Sequence, residues 1–89
     1  MKHIVKRAGH TESYDERKLY ASVYASCLAV REPVGSAELV AKEIVRLVGE
    51  WLNNKHEVSS HDIRLQASKH LKVINPDASF QYLHHKVIY

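Results

Sequence analysis

His3-Ile4-Val5-Lys6-Arg7-Ala8-Gly9-His10-Thr11-Glu12-Ser13-Tyr14-Asp15 (HIVKRAGHTESYD, residues 3–15) is two short runs set about a glycine. That pattern predicts a β-hairpin. A hairpin in a small soluble domain ordinarily shows one apolar face and one solvated face. This one carries Lys6, Arg7 and Glu12, with Lys18 just past its end, so several charges gather at one end of the molecule. Two strands alone are marginal in water, so the remaining chain has to support them.

Downstream, Asp15 is a good helix N-cap. Apolar residues recur at Leu19, Val23 and Cys27, and again at Tyr20, Tyr24 and Leu28, which predicts a helix with a broad buried face. Pro33 disfavours helical backbone at Glu32 and ends it. Ser36 is then expected to cap a second helix, with Val40, Ile44, Leu47, Val48 and Trp51 on one face and a stop at Asn53-Asn54-Lys55. His56-Glu57-Val58-Ser59 reads as a third short strand with Val58 inward. Ser59 or Ser60 caps a third helix, and Ser59 with Asp62 fits a capping box. Ile63, Ala67, Leu71 and Ile74 form its stripe. Asn75 as N-cap and Pro76 as first residue restart the chain as a last helix lined by Phe80, Leu83 and Val87. The expected architecture is α+β: a four-helix bundle capped by a small three-stranded β-sheet, in a single domain over residues 1–89.

Composition narrows the function classes. Thirteen Lys and Arg against ten Asp and Glu give +3, short of the basic density of a duplex-DNA binder. Nucleic acid is therefore an unfavoured partner, and that reading predicts binding that weakens steeply with salt. The lone Cys27 excludes an intrachain disulfide and fits a small buried residue. No apolar run reaches the about 18 residues of a membrane helix, and MKHIVKR lacks a signal-peptide core, so the cytoplasm is the expected location. The seven histidines include no pair at metal-helix spacing, and no triad has local context, so neither a metal site nor catalysis is expected.

In this layout the strands lie beside the N-terminal ends of the first and third helices. Those ends carry backbone N–H groups without intrahelical partners and a positive dipole end, worth about 0.3–1 kcal/mol to a nearby anion. With Lys6, Arg7, Lys18 and Arg64 nearby, the arrangement fits a polyphosphate without a glycine-rich loop. Each residue also has a plainer reading. Lys6 and Arg7 point to opposite faces of a strand and fit solvated surface charges. Glu12 fits a cross-strand partner of Lys6 as well as an acceptor for an adenine amino group or a ribose hydroxyl. Tyr14 fits core packing as well as stacking on a base, and Ser60 is a cap before it is a phosphate contact. Lys18 sits third in its helix, where a cation opposes the dipole, so another purpose has to justify it.

Val5-Lys6-Arg7-Ala8-Gly9, Glu12, Tyr14-Asp15, Lys18-Leu19, Val58-Ser59-Ser60-x-x-Ile63 and Asn75-Pro76-Asp77-Ala78-Ser79-Phe80-Gln81-Tyr82 occur in that order. The ordered set resembles the ATP-cone domain, a module of ribonucleotide reductases and of the repressor of their genes. The resemblance implies a non-catalytic, allosteric sensor of ATP or dATP, with magnesium as an accompanying ion. It places Lys6 by the phosphates, Glu12 and Tyr14 by the base and ribose, and Ile4 beneath the adenine; Arg7, beside Lys6, joins the candidate nucleotide-binding residues as a cation at the rim. Lys18, Ser60 and Arg64 match the helix starts. Ala8 stands where the family usually has aspartate, and the family often has a different polar residue at the Arg64 position. The zinc ribbon of the repressor and the barrel of the reductase are both missing, so the chain reads as a cone alone or as one excised from something longer. The implied partners are an adenine nucleotide and, for regulation, a second copy or a ribonucleotide reductase-related protein. The alternative is an interaction domain that keeps the fold without the ligand. ATP against dATP preference, the number of nucleotides bound, the oligomeric state and the partner are not set by the sequence.

Overall fold

The structure is a computed structural model that describes residues 3–5, 11–55 and 57–84, with side chains from residue 14 onward. Its elements are β1 (His3–Val5), β2 (Thr11–Ser13), α1 (Glu16–Ala29), α2 (Val34–Leu52), β3 (Val58–Ser59), α3 (Ser60–Ile74) and α4 (Pro76–His84).

Local chemistry sets most of the boundaries. Asp15 has extended backbone and its side chain accepts from Arg17 N at 3.0 Å, which starts α1. α1 ends in a Schellman motif: Glu32 N donates to Cys27 O at 3.0 Å and Arg31 N to Leu28 O at 2.9 Å. Arg31 occupies the left-handed region with φ 66°. α3 opens with both halves of a capping box: Asp62 N donates to Ser59 Oγ and Ser59 N to Asp62 Oδ2. Asn75 Oδ1 accepts from Ala78 N at 3.1 Å, and Pro76 is the first residue of α4.

The helices close into a ring: α1 packs on α2, α2 on α3, α3 on α4, and α4 back on α1. Their facing stripes form one core, with Leu19, Val23 and Cys27 from α1, Ile44, Val48 and Leu52 from α2, Ile63, Ala67 and Leu71 from α3, and Tyr82 from α4. Two polar ties show that α4 runs back along α3. Ser79 Oγ donates to Ser68 O at 2.9 Å, and Arg64 Nη2 near the start of α3 donates to Leu83 O near the end of α4.

The α+β expectation of a bundle capped by a three-stranded sheet is corrected. The described chain is mostly helical: the helices take 14, 19, 15 and 9 residues, against 3, 3 and 2 in extended segments. β1 pairs antiparallel with β2, Ile4 opposite Glu12, and β3 adds only the parallel contacts Ile4 to Val58 and Val5 to Ser59. This ribbon is no layer of its own. Its main contacts are internal, and it joins the helices chiefly through β3 and the start of α3. The reason is local. Thr-Glu-Ser has no apolar face to bury, and β3 stops where Ser59 becomes a helix cap.

Three further expectations shift. α2 begins at Val34, not after Ser36, because Pro33 has extended backbone and its carbonyl accepts Ala37 N at 2.8 Å. Ser36 Oγ donates to Glu32 Oε2 instead. α4 buries Ala78, Ser79 and Tyr82, while Phe80 is 62% and Leu83 37% exposed. Small Ala78 and Ser79 let α4 approach α3 closely, and that fixes the rotation of the helix. Val87 lies outside the described residues. Ile74, in the expected stripe of α3, is exposed at its last position.

Candidate functional site

The ribbon and the first turns of α1 and α3 meet at one end of the bundle. β1 lies between β2 and β3, and Ile4 is in register with Glu12 on one side and Val58 on the other. Only Tyr14 and Asp15 separate Ser13 from α1, and directly after Ser59 the chain enters α3. The backbone therefore places Ile4, Glu12, the start of α1 and the start of α3 together. Lys6 and Arg7 lie outside the described residues.

The described side chains divide by role. Tyr14 is half-buried and packs against the core cluster, so its body is committed to packing. Lys18 is exposed on the third residue of α1. Ser60 is half-buried as the first residue of α3, and Ser59 makes the cap bonds. Arg64 is half-buried, and its Nη2 reaches Leu83 O at 2.6 Å. The structure thus turns Arg64 toward the end of α4.

Electrostatically this end is more balanced than the lysines alone imply. Asp15 and Glu16 share the first turn of α1 with Arg17 and Lys18. The Arg17 backbone N–H, followed by its guanidinium at 3.3 Å, holds the Asp15 carboxyl below the usual carboxylate range. Asp62 is occupied by the capping box. An anion here gains from Lys18 and from the helix ends, but it meets two carboxylates in the first turn of α1.

One cleft of about 320 Å³ was missed by the sequence reading. It runs along α1 and α2 between Glu16, Arg17, Tyr20, Lys42 and Val45. Tyr20 in its wall stacks on Tyr24 with ring centroids 6.0 Å apart. No local pattern announces it, because it exists only once two helices pack. Among the described residues no group of three or more metal-ligating side chains comes together. Among the same residues, no helix is long and apolar enough to cross a membrane.

The family model for the ATP cone domain matches residues 2–89, essentially the whole chain. No curated protein matches it. The family is one of nucleotide-binding regulatory modules, which take ATP or dATP and are not catalytic.

Proposed function

The chain belongs to the ATP-cone family, and on that premise we propose that it senses adenine nucleotide in the cytoplasm and passes occupancy on to a second copy or to a ribonucleotide reductase-related partner. The observation that carries the reading is the meeting of β1 and β2 with the first turns of α1 and α3 at one end of the bundle. Ile4 supports the adenine ring, Glu12 accepts from its amino group, and Tyr14 closes the base side. Lys6, Arg7 and Lys18 meet the phosphates, with Ser60 donating at the start of α3. Magnesium arrives on the phosphate oxygens of the nucleotide, which are its preferred ligands.

One observation favours the second reading, an interaction domain without a ligand: Arg64, a candidate phosphate contact, is bonded to Leu83 O. Thermal unfolding with and without magnesium-ATP separates the two. Under the nucleotide reading the midpoint rises with ATP concentration by mass action, and Lys6→Ala and Lys18→Ala each need about tenfold more ATP for the same rise. An unchanged midpoint in the wild-type chain supports the interaction-domain reading and overturns the proposal.

A further inference from the structure

From Leu19 to Val30 the chain reads LYASVYASCLAV and carries no charged residue. Leu19, Val23 and Cys27, with Ser22 and Ser26, account for the inner face of α1. Beyond the first turn the outer face is equally without charge, yet Ala21, Ala25 and Leu28 are exposed there and Tyr20 and Tyr24 are half-buried. Tyr20, Tyr24 and Leu28, marked by their spacing as a second buried series, are thus only partly covered by this chain. A helix that is apolar all round belongs to an interior, whereas one that faces water carries charge on its outer side. α2 follows that rule, with Glu38, Lys42, Arg46 and Glu50 at exposed positions. α1 does not.

Beside that face runs the cleft between α1 and α2, with Tyr20 and Val45 as its apolar part and Glu16, Arg17 and Lys42 around them. It is an open groove rather than an enclosed cavity. Ligand pockets bury about 70–90% of a small molecule, which an open groove does not, and a groove between two helices suits the ridge of another helix. The charges point to which helix. Asp15 holds Arg17, while Glu43 and Glu50 hold Arg46. Among the described residues Glu16 on α1 and Lys42 on α2 have no ion-pair partner. The groove therefore offers an unmatched anion from one helix and an unmatched cation from the other.

We propose that this face docks a second copy of the chain, with α1 of each copy lying in the α1–α2 groove of the other about a two-fold axis that runs along α1. Such a rotation keeps each residue's height along the helix and exchanges the two sides of the groove. Glu16 and Lys42 share one groove, so Glu16 of each copy comes to Lys42 of the other. Tyr20, Tyr24 and Leu28 meet their own counterparts. Two-fold pairs are the commonest assemblies and need a patch that complements itself in this way. Ala21 and Ala25 are small, which favours the short end of the 8–10 Å range of helix separations. α1 has 14 residues, about 21 Å, and a helix pair is about 20 Å across. Each copy then buries on the order of 500 Å², an area typical of transient complexes. Both first turns of α1, and with them both proposed nucleotide sites, lie at the same end of the pair. The inference supplies the surface for the second copy named under the nucleotide reading and rests on that reading for its purpose.

Sedimentation equilibrium of the full chain at concentrations up to about 1 mM, with and without magnesium-ATP, tests this. The wild type is expected to pair. Glu16→Lys and Lys42→Glu each set like charges against one another and weaken pairing by at least about tenfold. An equimolar mixture of the two variants restores it, because every contact across the mixed pair then joins opposite charges. Ala21→Arg sets a charge in the middle of the apolar stripe and gives a monomer, which keeps the test decisive should a reversal variant fail to fold. A wild type that stays monomeric in both conditions overturns the inference. So does pairing that Ala21→Arg or the folded reversal variants leave unchanged, or a mixture that pairs no better than its components. Thermal unfolding with magnesium-ATP judges the nucleotide reading separately. Pairing without a thermal shift overturns that reading alone, and a thermal shift without pairing overturns this inference alone.

Discussion

Glu32, in the turn between α1 and α2, accepts a hydrogen bond at 2.6 Å from Nδ2 of Asn75, the residue between α3 and α4. The other carboxylate oxygen accepts from Ser36 Oγ, also at 2.6 Å. Asn75 in turn caps α4 through Oδ1. One carboxylate therefore fixes both inter-helix turns at the end of the bundle away from the strands. Glu32→Ala removes an acceptor from two donors at once and is expected to cost about 1–2 kcal/mol. Glu32→Gln keeps one acceptor and should cost less. Urea unfolding of the three proteins, at constant m-value, checks the order.

Arg31 holds φ 66° as the left-handed residue of the Schellman motif, a place where side chains other than glycine are strained. Arg31→Gly relieves that strain and loses some unfolded-state restriction. The net expectation is a gain of about 0.5–1 kcal/mol, read as a higher denaturation midpoint. A lower midpoint would mean that the arginine side chain makes contacts that outweigh the strain.

Ser59 ends β3 and opens α3 in the same residue, and both capping-box bonds run through it. Ser59→Ala is expected to cost about 1 kcal/mol, and Ser59→Asp, itself a good cap, much less. Because the start of α3 belongs to the proposed site, Ser59→Ala should also weaken ATP binding, which calorimetry on the folded variant measures.

Cys27 is fully buried. Burial, with the charge of Glu32 and a hydrogen bond to it as lesser causes, pushes the thiol up from its ordinary 9.0 to about 11. The native state thus favours the neutral thiol. Its contribution to stability is complete below the ordinary value and is lost as pH rises through the folded value, so the window runs from 9.0 to about 11. Wild type should lose stability across that window faster than Cys27→Ala, measured by denaturant midpoints against pH. Parallel curves would contradict it. At neutral pH the thiol should resist alkylation until the chain unfolds.

What the sequence made legible was what is decided within a few residues. Asp15, the Ser59–Asp62 box and the Asn75-Pro76 restart are caps, closed by neighbours two or three positions away. The apolar stripe Leu19-Val23-Cys27 was legible because burial along a helix repeats with its turn. The rest depends on packing. Glu32 and Asn75 are 43 positions apart, and Arg64 and Leu83 are 19 apart. On α4 the Phe80 and Leu83 face and the Ala78, Ser79 and Tyr82 face both have helical spacing. Close approach to α3, rather than apolarity, chose the second. The weight given to a capping sheet failed because extended segments of two and three residues cannot build a layer. Of the candidate site, the convergence of strands and helix starts was legible. The outward reach of Arg64 to Leu83 and the carboxylates beside Lys18 were not.

Isothermal titration of the chain with ATP, dATP and GTP, each with magnesium, tests the central claim most directly. The account predicts saturable heat with ATP or dATP, weaker binding of GTP because guanine presents a carbonyl where Glu12 seeks an amino group, and about tenfold lower affinity for Lys18→Ala. A folded protein that gives no saturable heat with either adenine nucleotide up to about 1 mM would contradict it.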